Sequence, residues 1–399
     1  MLCLFSHNGN ETMVLKFSKF LVRVLSSYAL AVICLSLIFI LTWLSTLEQP
    51  DKGLYLVQQR YFSAESWFVS PELDFIPKVN GNSICPPLPS AYLISIILTI
   101  NLVIGGLIRI KKNKKKWGVI LSHFSMVGLL FSGFISHHYS REGMMLIYQG
   151  DISNYAQSYT DYTIEIAIYH NGLKKPPYVI PSKSLMGLSS NQTLKAKIPS
   201  LNLQMDISKW MPHSSISHSS AQSALVATPL KPDPQAEKNL AACVVKIAGS
   251  QIADTTIQLH ASLRETRIPL GDNKEIGIQL IKEIWNIPFY IKLNTSIGEY
   301  HPNTNRPKYF ESQITQMDTP NDPNGYNYTI KMNEPFRQDG YTLYQARWMG
   351  DSDRPQSGFA VVQNPADQWP KYCLYLSIIG LTAHFGLKLS KFLTKRSNK

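Results

Sequence analysis

The chain has 399 residues, 44% of them hydrophobic, and a formal net charge of +12; that length suits a membrane bundle plus one sizeable separate domain. Fourteen basic residues fall in segments 1–23, 109–116 and 388–399, against Glu11 as the single acid there, so the rest of the chain is close to neutral. Basic clusters flanking apolar runs report topology, which sets aside nucleic-acid binding as the meaning of the high pI.

Four apolar runs approach the roughly 20 residues a helix needs to cross a bilayer. The first, Tyr28–Leu47, lies in a span at 24–47 behind Lys16, Lys19 and Arg23. It lacks a small-residue cleavage site and runs on into "LTWLSTLEQP", so it is a retained helix rather than a signal peptide. An external loop, 48–90, leads to the second span at 91–110. The basic hairpin 111–116 then turns the chain into a third span at 117–136. The segment 137–369 is external, the fourth span covers 370–388, and 389–399 is a tail. Basic loops stay on the cytoplasmic side, so both termini and the hairpin are expected inside and the long segment outside. Cys34 and Cys373 fall in spans and Cys3 in the cytoplasmic segment. Cys85 and Cys243 lie outside, where either a disulfide or two buried thiols would fit. There is no CxxC.

The stretch "KKWGVILSHFSMVGLLFSGFISHH" holds one histidine, His123, inside the third span and two, His137 and His138, at its end. On a helical wheel Val127, Leu130 and Phe134 share the face of His123, and His137 and His138 flank that face. Ser125, Gly128, Ser132 and Ser136 form the opposite face, and small residues let helices approach closely. The small stripe is therefore expected to pack within the chain while His123 looks toward a partner or ligand. Fourteen residues separate His123 from His137, about 21 Å on a straight helix. An intramembrane ionisable residue is a functional candidate, and histidine is a common axial ligand of haem iron. The other reading is a neutral imidazole hydrogen-bonded to a neighbouring helix. His384, in the fourth span, shares its face with Cys373, Ser377 and Gly380, which suggests packing over ligation.

The external segment alternates with period two. Ile164, Ile166 and Ile168 do so, as do Leu203, Met205 and Ile207, and "YTIKM" and "YTLYQARW" repeat the habit. Short alternating runs separated by "HPNTNRP", "TPNDPNG" and "QNPADQ" read as half-buried strands with turns. The fold class is therefore a membrane protein of four transmembrane α-helices, with a large external all-β, sandwich-like or open-barrel domain between the third and fourth spans. Within it, 212–238 is rich in Ser, Pro and Ala, has no period, and reads as a mobile insertion. His213 and His218 there are expected to be solvated, and His170, His260 and His301 to be ordinary domain residues. There is no GxSxG, HExxH or P-loop, so no soluble-enzyme site is indicated.

Several stretches together resemble one family. "STLEQPDKGLYLVQQRYFSAESWFV" is similar to its segment after the first span. "CPPLPSAYLISIILTINLVIGGLIRI", with Asn101-Leu102 and Arg109, is similar to its second span. "IPFYIKLNTSIGEYHPNTNRPKYFESQI" follows its PF…P-x-x-F-x-S run. Asn333-Glu334-Pro335 with Gly340-Tyr341 and Tyr344-Gln345 carry its most specific signature. The chain resembles the ResB-type (CcsB-like) subunit of system II cytochrome c biogenesis from about residue 24 to its end, least well over 175–250. It has no "WGxxWxWD"-like segment, so it resembles the separate subunit rather than a fusion.

The resemblance implies haem handling, in which haem b passes outward and is attached to the CxxCH cysteines of apocytochrome c. It implies a CcsA-like (ResC-like) membrane partner and a cytoplasmic-type or thylakoid-type membrane. The chain would be a non-catalytic or co-catalytic subunit of a cytochrome c haem lyase. The family's intramembrane histidine falls on His123, which favours the ligand reading. His384, His137 and His138 are further candidates for haem. Asn333, Pro335, Gly340, Tyr341, Tyr344 and Gln345 would shape a tight strand–turn–strand facing a partner or substrate, or simply build the domain. The contrasting hypothesis is a membrane-anchored β-domain that binds a ligand or scaffolds an envelope complex without haem.

Overall fold

The computed structural model describes residues 7–64, 66–73, 78–79, 82–83, 85–113, 115–189, 192–218, 225–249, 252–271, 273–304, 306–350 and 354–397. Its contacts divide the chain into two units, Met1–Ser140 with Asn364–Lys399, and Arg141–Gln363.

The first unit opens with α1 (His7–Leu25), which breaks at Ser26–Ser27 before α2 (Tyr28–Lys52). Ser27 restarts the helix, its Oγ accepting from the Leu30 amide at 3.2 Å, the usual way an N-cap satisfies an orphan donor. Two carbonyls at the break are taken up from elsewhere: Asn101 Nδ2 donates to Leu25 O at 2.7 Å and to Ser27 O at 3.0 Å. A buried backbone acceptor needs a partner, and this is why an amide sits in the apolar second helix.

α2 outruns its apolar stretch, passing through Pro50 to a cap at Gly53 with φ 78°, and α3 (Leu54–Phe62) follows. The expected loop at 48–90 therefore starts as two helices. Four two-residue strands come next, β1 (Phe68–Val69), β2 (Lys78–Val79), β3 (Asn82–Ser83) and β4 (Leu88–Pro89), paired β1–β4 and β2–β3.

α4 (Ala91–Asn101) continues as a π-helix over Leu102–Ile108, closed by Arg109 N donating to Ile104 O at 2.9 Å. Gly105 and Gly106 sit in this wide turn. A Cβ on Gly105 would stand 3.1 Å from Ser26 O, so the helix passes close to the α1–α2 break only because that residue has none. α5 (Trp117–Tyr139) is nearly a turn longer than its apolar run and carries His137 and His138 in its last turn.

The second unit is β-rich. β5 (Arg141–Tyr148) and β6 (Ile152–His170) lead to β7 (Leu173–Lys174), β8 (Tyr178–Ile180) and the short α6 (Ser182–Met186). β9 (Leu194–Ile198), β10 (Leu203–Met211), β11 (Ser214–His218), β12 (Leu225–Pro229), β13 (Ala242–Gly249) and β14 (Ile252–His260) follow. The remainder is β15 (Thr266–Gly271), β16 (Lys274–Tyr300), β17 (Pro307–Met317), β18 (Tyr326–Lys331), β19 (Phe336–Gln338), β20 (Tyr341–Met349) and β21 (Gln356–Gln363).

The large sheet runs β18–β17–β16–β6–β5–β21–β20–β19, and a four-stranded sheet runs β14–β13–β10–β9. Register shifts between Lys282 and Ile284, and between Asn286 and Ile291, bend the long β16 against β6, as bulges do. The bend gives two cores. On one side Ile164, Ile166, Ile276 and Ile278 pack on Met205, Ile207 and Val245 of the smaller sheet. On the other the sheet curls, so that Phe289, Ile291 and Leu293 meet Leu343, Phe359 and Val361. One half is a sandwich and the other an open barrel.

The segment 212–238 is not without secondary structure. β11 pairs antiparallel with β12 from Ser214↔Pro229 to His218↔Leu225, with 219–224 outside the described residues. Ser214, Ser215 and Ser217 occupy strand positions that show no apolar period, which is why the hairpin is illegible. His213 is half-buried rather than simply solvated, its Nδ1 accepting from the Leu240 amide at 3.1 Å. Cys243 is a buried free thiol in β13, its pKa pushed up to about 12 by burial.

The chain returns to the first unit in α7 (Trp369–Ser397), which runs on through the basic tail. α7 packs antiparallel on α5 through small residues. Cβ atoms built on Gly118 and Gly128 would stand 2.9 Å from His384 N and 2.7 Å from Cys373 Sγ. Four helical stretches, Tyr28–Lys52, Ala91–Ile108, Trp117–Tyr139 and Trp369–Arg396, are long and apolar enough to cross a membrane. Val32, Phe39, Phe131, Ile378 and Ile379 among them are exposed, as suits a hydrocarbon surrounding.

Candidate functional site

Of the small stripe on α5, Ser125 and Ser132 are buried and Gly128 lies against Cys373 of α7, while Ser136 is half-buried; Ser122, outside that stripe, is buried against Gly380. His123 does not simply look away from the chain. Its ring lies on Gly106 of the π-turn, where a Cβ would overlap the imidazole, with Cγ at 2.9 Å and Cβ at 3.2 Å. Gly106 is thus a cradle for this side chain.

The Nδ1 of His123 is 2.7 Å from Val119 O, one turn back in its own helix. A carbonyl only accepts, so Nδ1 carries the proton and Nε2 keeps its lone pair. No protein partner for Nε2 is found among the described residues. Metal-ligating histidines are held in this way, donating their other ring N–H to a carbonyl or carboxylate.

At the far end of the same α4–α5 seam lies a cavity of about 510 Å³, within the usual size of ligand sites. Its walls are mainly apolar, including Ile96, Ile100, Leu130 and Phe134, and His137 stands at its rim. His137 also lines a second cavity of about 520 Å³, walled by Thr46, Gln49, Gln58, Gln59 and Ser63 of α2, α3 and the residue that follows. His137 Nε2 lies 3.3 Å from the Ala64 amide, as an acceptor, and is exposed. His138 meets the Tyr92 hydroxyl at 3.1 Å, and its ring packs 4.5 Å from Phe134. Both outer histidines therefore already hold a hydrogen bond on Nε2.

His384 is half-buried beside Gly118, about a turn from the level of His123, and its ring contacts Phe385. Among the described residues no group of three His, Cys, Asp or Glu side chains could hold a bare metal ion. A metallated macrocycle asks less of a chain, since it brings its own equatorial ligands and needs axial ones.

The strand–turn–strand signature has the expected shape. β19 and β20 join through Asp339 (φ 49°) and Gly340 (φ 79°), and positive φ at two successive turn positions suits a hairpin whose second residue is glycine. Its residues divide by burial. Asn333 and Gly340 are exposed and Pro335 and Tyr344 half-buried, but Tyr341 and Gln345 are buried. Tyr341 sets its ring edge-on to Phe289. Gln345 donates to Arg347 O at 2.9 Å and leaves its Oε1 without a partner. Tyr341 and Gln345 thus build the domain and are not available as surface.

One cluster went unnoticed in the sequence. Glu48 is buried inside α2 yet fully partnered. It accepts from Tyr61 OH at 2.8 Å and the Glu72 amide at 2.6 Å, and pairs with Arg60 at 3.0 Å. Arg60 and Lys52 also pair with Glu72. Burial, then Glu48, pushes the Tyr61 hydroxyl well above its usual range. The network fastens α3 to the end of α2. Its one sequence signal is an acid eight residues past the start of "ILTW", just beyond the apolar run that ends at Leu47.

Four apolar helices, with a β-rich unit inserted between the last two and histidines strung along one helix, define a candidate multi-pass membrane protein. Residues 265–368 match the model of the ResB-like family. The match contains the Asn333–Gln345 signature and none of the apolar-helix histidines of α5 and α7. No curated protein matches the chain.

Proposed function

We propose that the chain is the haem-handling membrane subunit of a system II cytochrome c synthase, and that His123 is an axial ligand for the iron of haem b in transit. The family match supports the setting. The observation that carries the reading is the bond from His123 Nδ1 to Val119 O at 2.7 Å, which leaves Nε2 as a free lone pair beside the Gly106 cradle. A neutral imidazole is the ligating form.

His137, with His138 behind it on Tyr92, is the second station, at the other end of the seam. Haem would be released there toward the apocytochrome c cysteines. A CcsA-like (ResC-like) subunit supplies the opposite axial ligand, with His384 as the weaker internal alternative because it sits a turn away, against Gly118. The basic segments support a topology with both termini and the 111–116 hairpin on the cytoplasmic side and the β-rich unit outside, in a cytoplasmic-type or thylakoid-type membrane. The chain's contribution is positioning; no side chain need act as general acid or base.

The test is cytochrome c maturation in cells carrying His123→Ala, His137→Ala or His384→Ala at matched protein abundance. His123→Ala abolishes it, His137→Ala lowers it and His384→Ala is mild. Normal maturation with His123→Ala would overturn the assignment.

A further inference from the structure

The basic end of the first unit holds a second kind of site. A cavity of about 320 Å³ is lined by Ser18, Lys19, Val22, Arg23 and Arg109. Three of these five are cations and none is an acid. Lys19 and Arg23 are one turn apart on α1, and both are exposed. Arg109 follows the π-turn and donates to Ser26 Oγ, a neutral partner, and no acid among the described residues pairs with it. Like charges gathered in this way repel, and an anion among them turns the repulsion into attraction.

The surroundings select which anion. α1 also presents Phe17 at 65% and Phe20 at 61% exposure. A helix with a basic face and exposed aromatic residues lies in the plane of a membrane interface, and basic pockets between helices at such a surface bind lipid phosphates. We propose that Lys19, Arg23 and Arg109 hold the phosphate of an anionic phospholipid, whose acyl chains run along the exposed apolar side of α1. Free phosphate has the same headgroup chemistry but gains nothing from Phe17 and Phe20. The site is independent of haem.

The experiment is native mass spectrometry of the purified full chain, exchanged into zwitterionic lipid and then offered phosphatidylglycerol or inorganic phosphate. The chain retains phosphatidylglycerol and not inorganic phosphate. Lys19→Gln/Arg23→Gln, two changes on an exposed face, weakens retention about thirtyfold, as expected for two basic contacts. Lys391→Gln/Lys395→Gln removes the same charge elsewhere at the basic end and leaves retention unchanged. Equal loss in both double variants, equal retention of inorganic phosphate, or no retention of phosphatidylglycerol would each overturn the site.

Discussion

Gly106→Ala tests the His123 reading without touching the histidine. The new methyl would lie against the imidazole, 2.9 Å from Cγ and 3.2 Å from Cβ and closer still to Cδ2. Ordinary carbon contacts are about 3.5–4.0 Å, so the ring must move by roughly 1 Å or more. The Val119 carbonyl holds Nδ1 from the other side, so the ring can yield only by weakening that bond or swinging Nε2. A misplacement of about 1 Å in a positioned group can cost on the order of a hundredfold in rate. The expected outcome is an inserted, abundant protein whose purified complex shows a shifted or diminished Soret band and whose cytochrome c yield falls at least tenfold. Gly386→Ala is the control, because nothing lies within 4 Å of a Cβ there. If Gly106→Ala keeps spectrum and yield at the Gly386→Ala level, the cradle has no part in haem handling and the argument from the His123 geometry fails.

Glu48→Gln leaves Arg60, Lys52 and Tyr61 short of their buried anion; breaking a buried pair costs about 3–5 kcal/mol, and the lower end applies because Glu72 still pairs with Arg60. Thermal unfolding in detergent should fall clearly, and an unchanged midpoint would show the network to be idle. His260 is buried, accepts from the Ser262 amide on Nδ1 at 3.0 Å and faces Ser214 O with Nε2. Burial, outweighing the Ser214 bond, lowers its pKa. The unfolded chain therefore binds the extra proton first, and this part of the stability is present above about pH 6.5 and is lost as pH falls below it. His260→Gln should flatten the acid limb of the stability profile, and an unaltered limb would count against the coupling. Reporters active only outside should work when fused near Ser140 or Asp367 and be silent near Asn113; activity at Asn113 would invert the topology and remove the outward haem path.

What the sequence could tell follows from how local each feature is. The Ser125–Gly128–Ser132 stripe and the Cys373–Ser377–Gly380 face were legible because each lies on one helix, and the structure packs them together. The Gly106 cradle was not, since the two partners are seventeen positions apart on different helices and a π-turn shifts the register between them. Glu48 was misplaced by ending the first helix at Leu47, where hydropathy falls; ion pairing carries the helix on to Lys52. The strands of β6 and β16 were legible as alternation, but their 19- and 27-residue lengths, and the bend that divides two cores, arise from bulges with no local signature. Tyr341 and Gln345 were recognisable as signature residues, yet only the curl of the sheet puts them inside.

The central claim is that this chain carries haem on His123, and the absorption spectrum of the chain purified with its membrane partner tests it most directly. The account predicts a Soret band that His123→Ala removes, and that added imidazole partly restores by filling the vacant axial position. A stable His123→Ala complex with unchanged haem content and spectrum would contradict it.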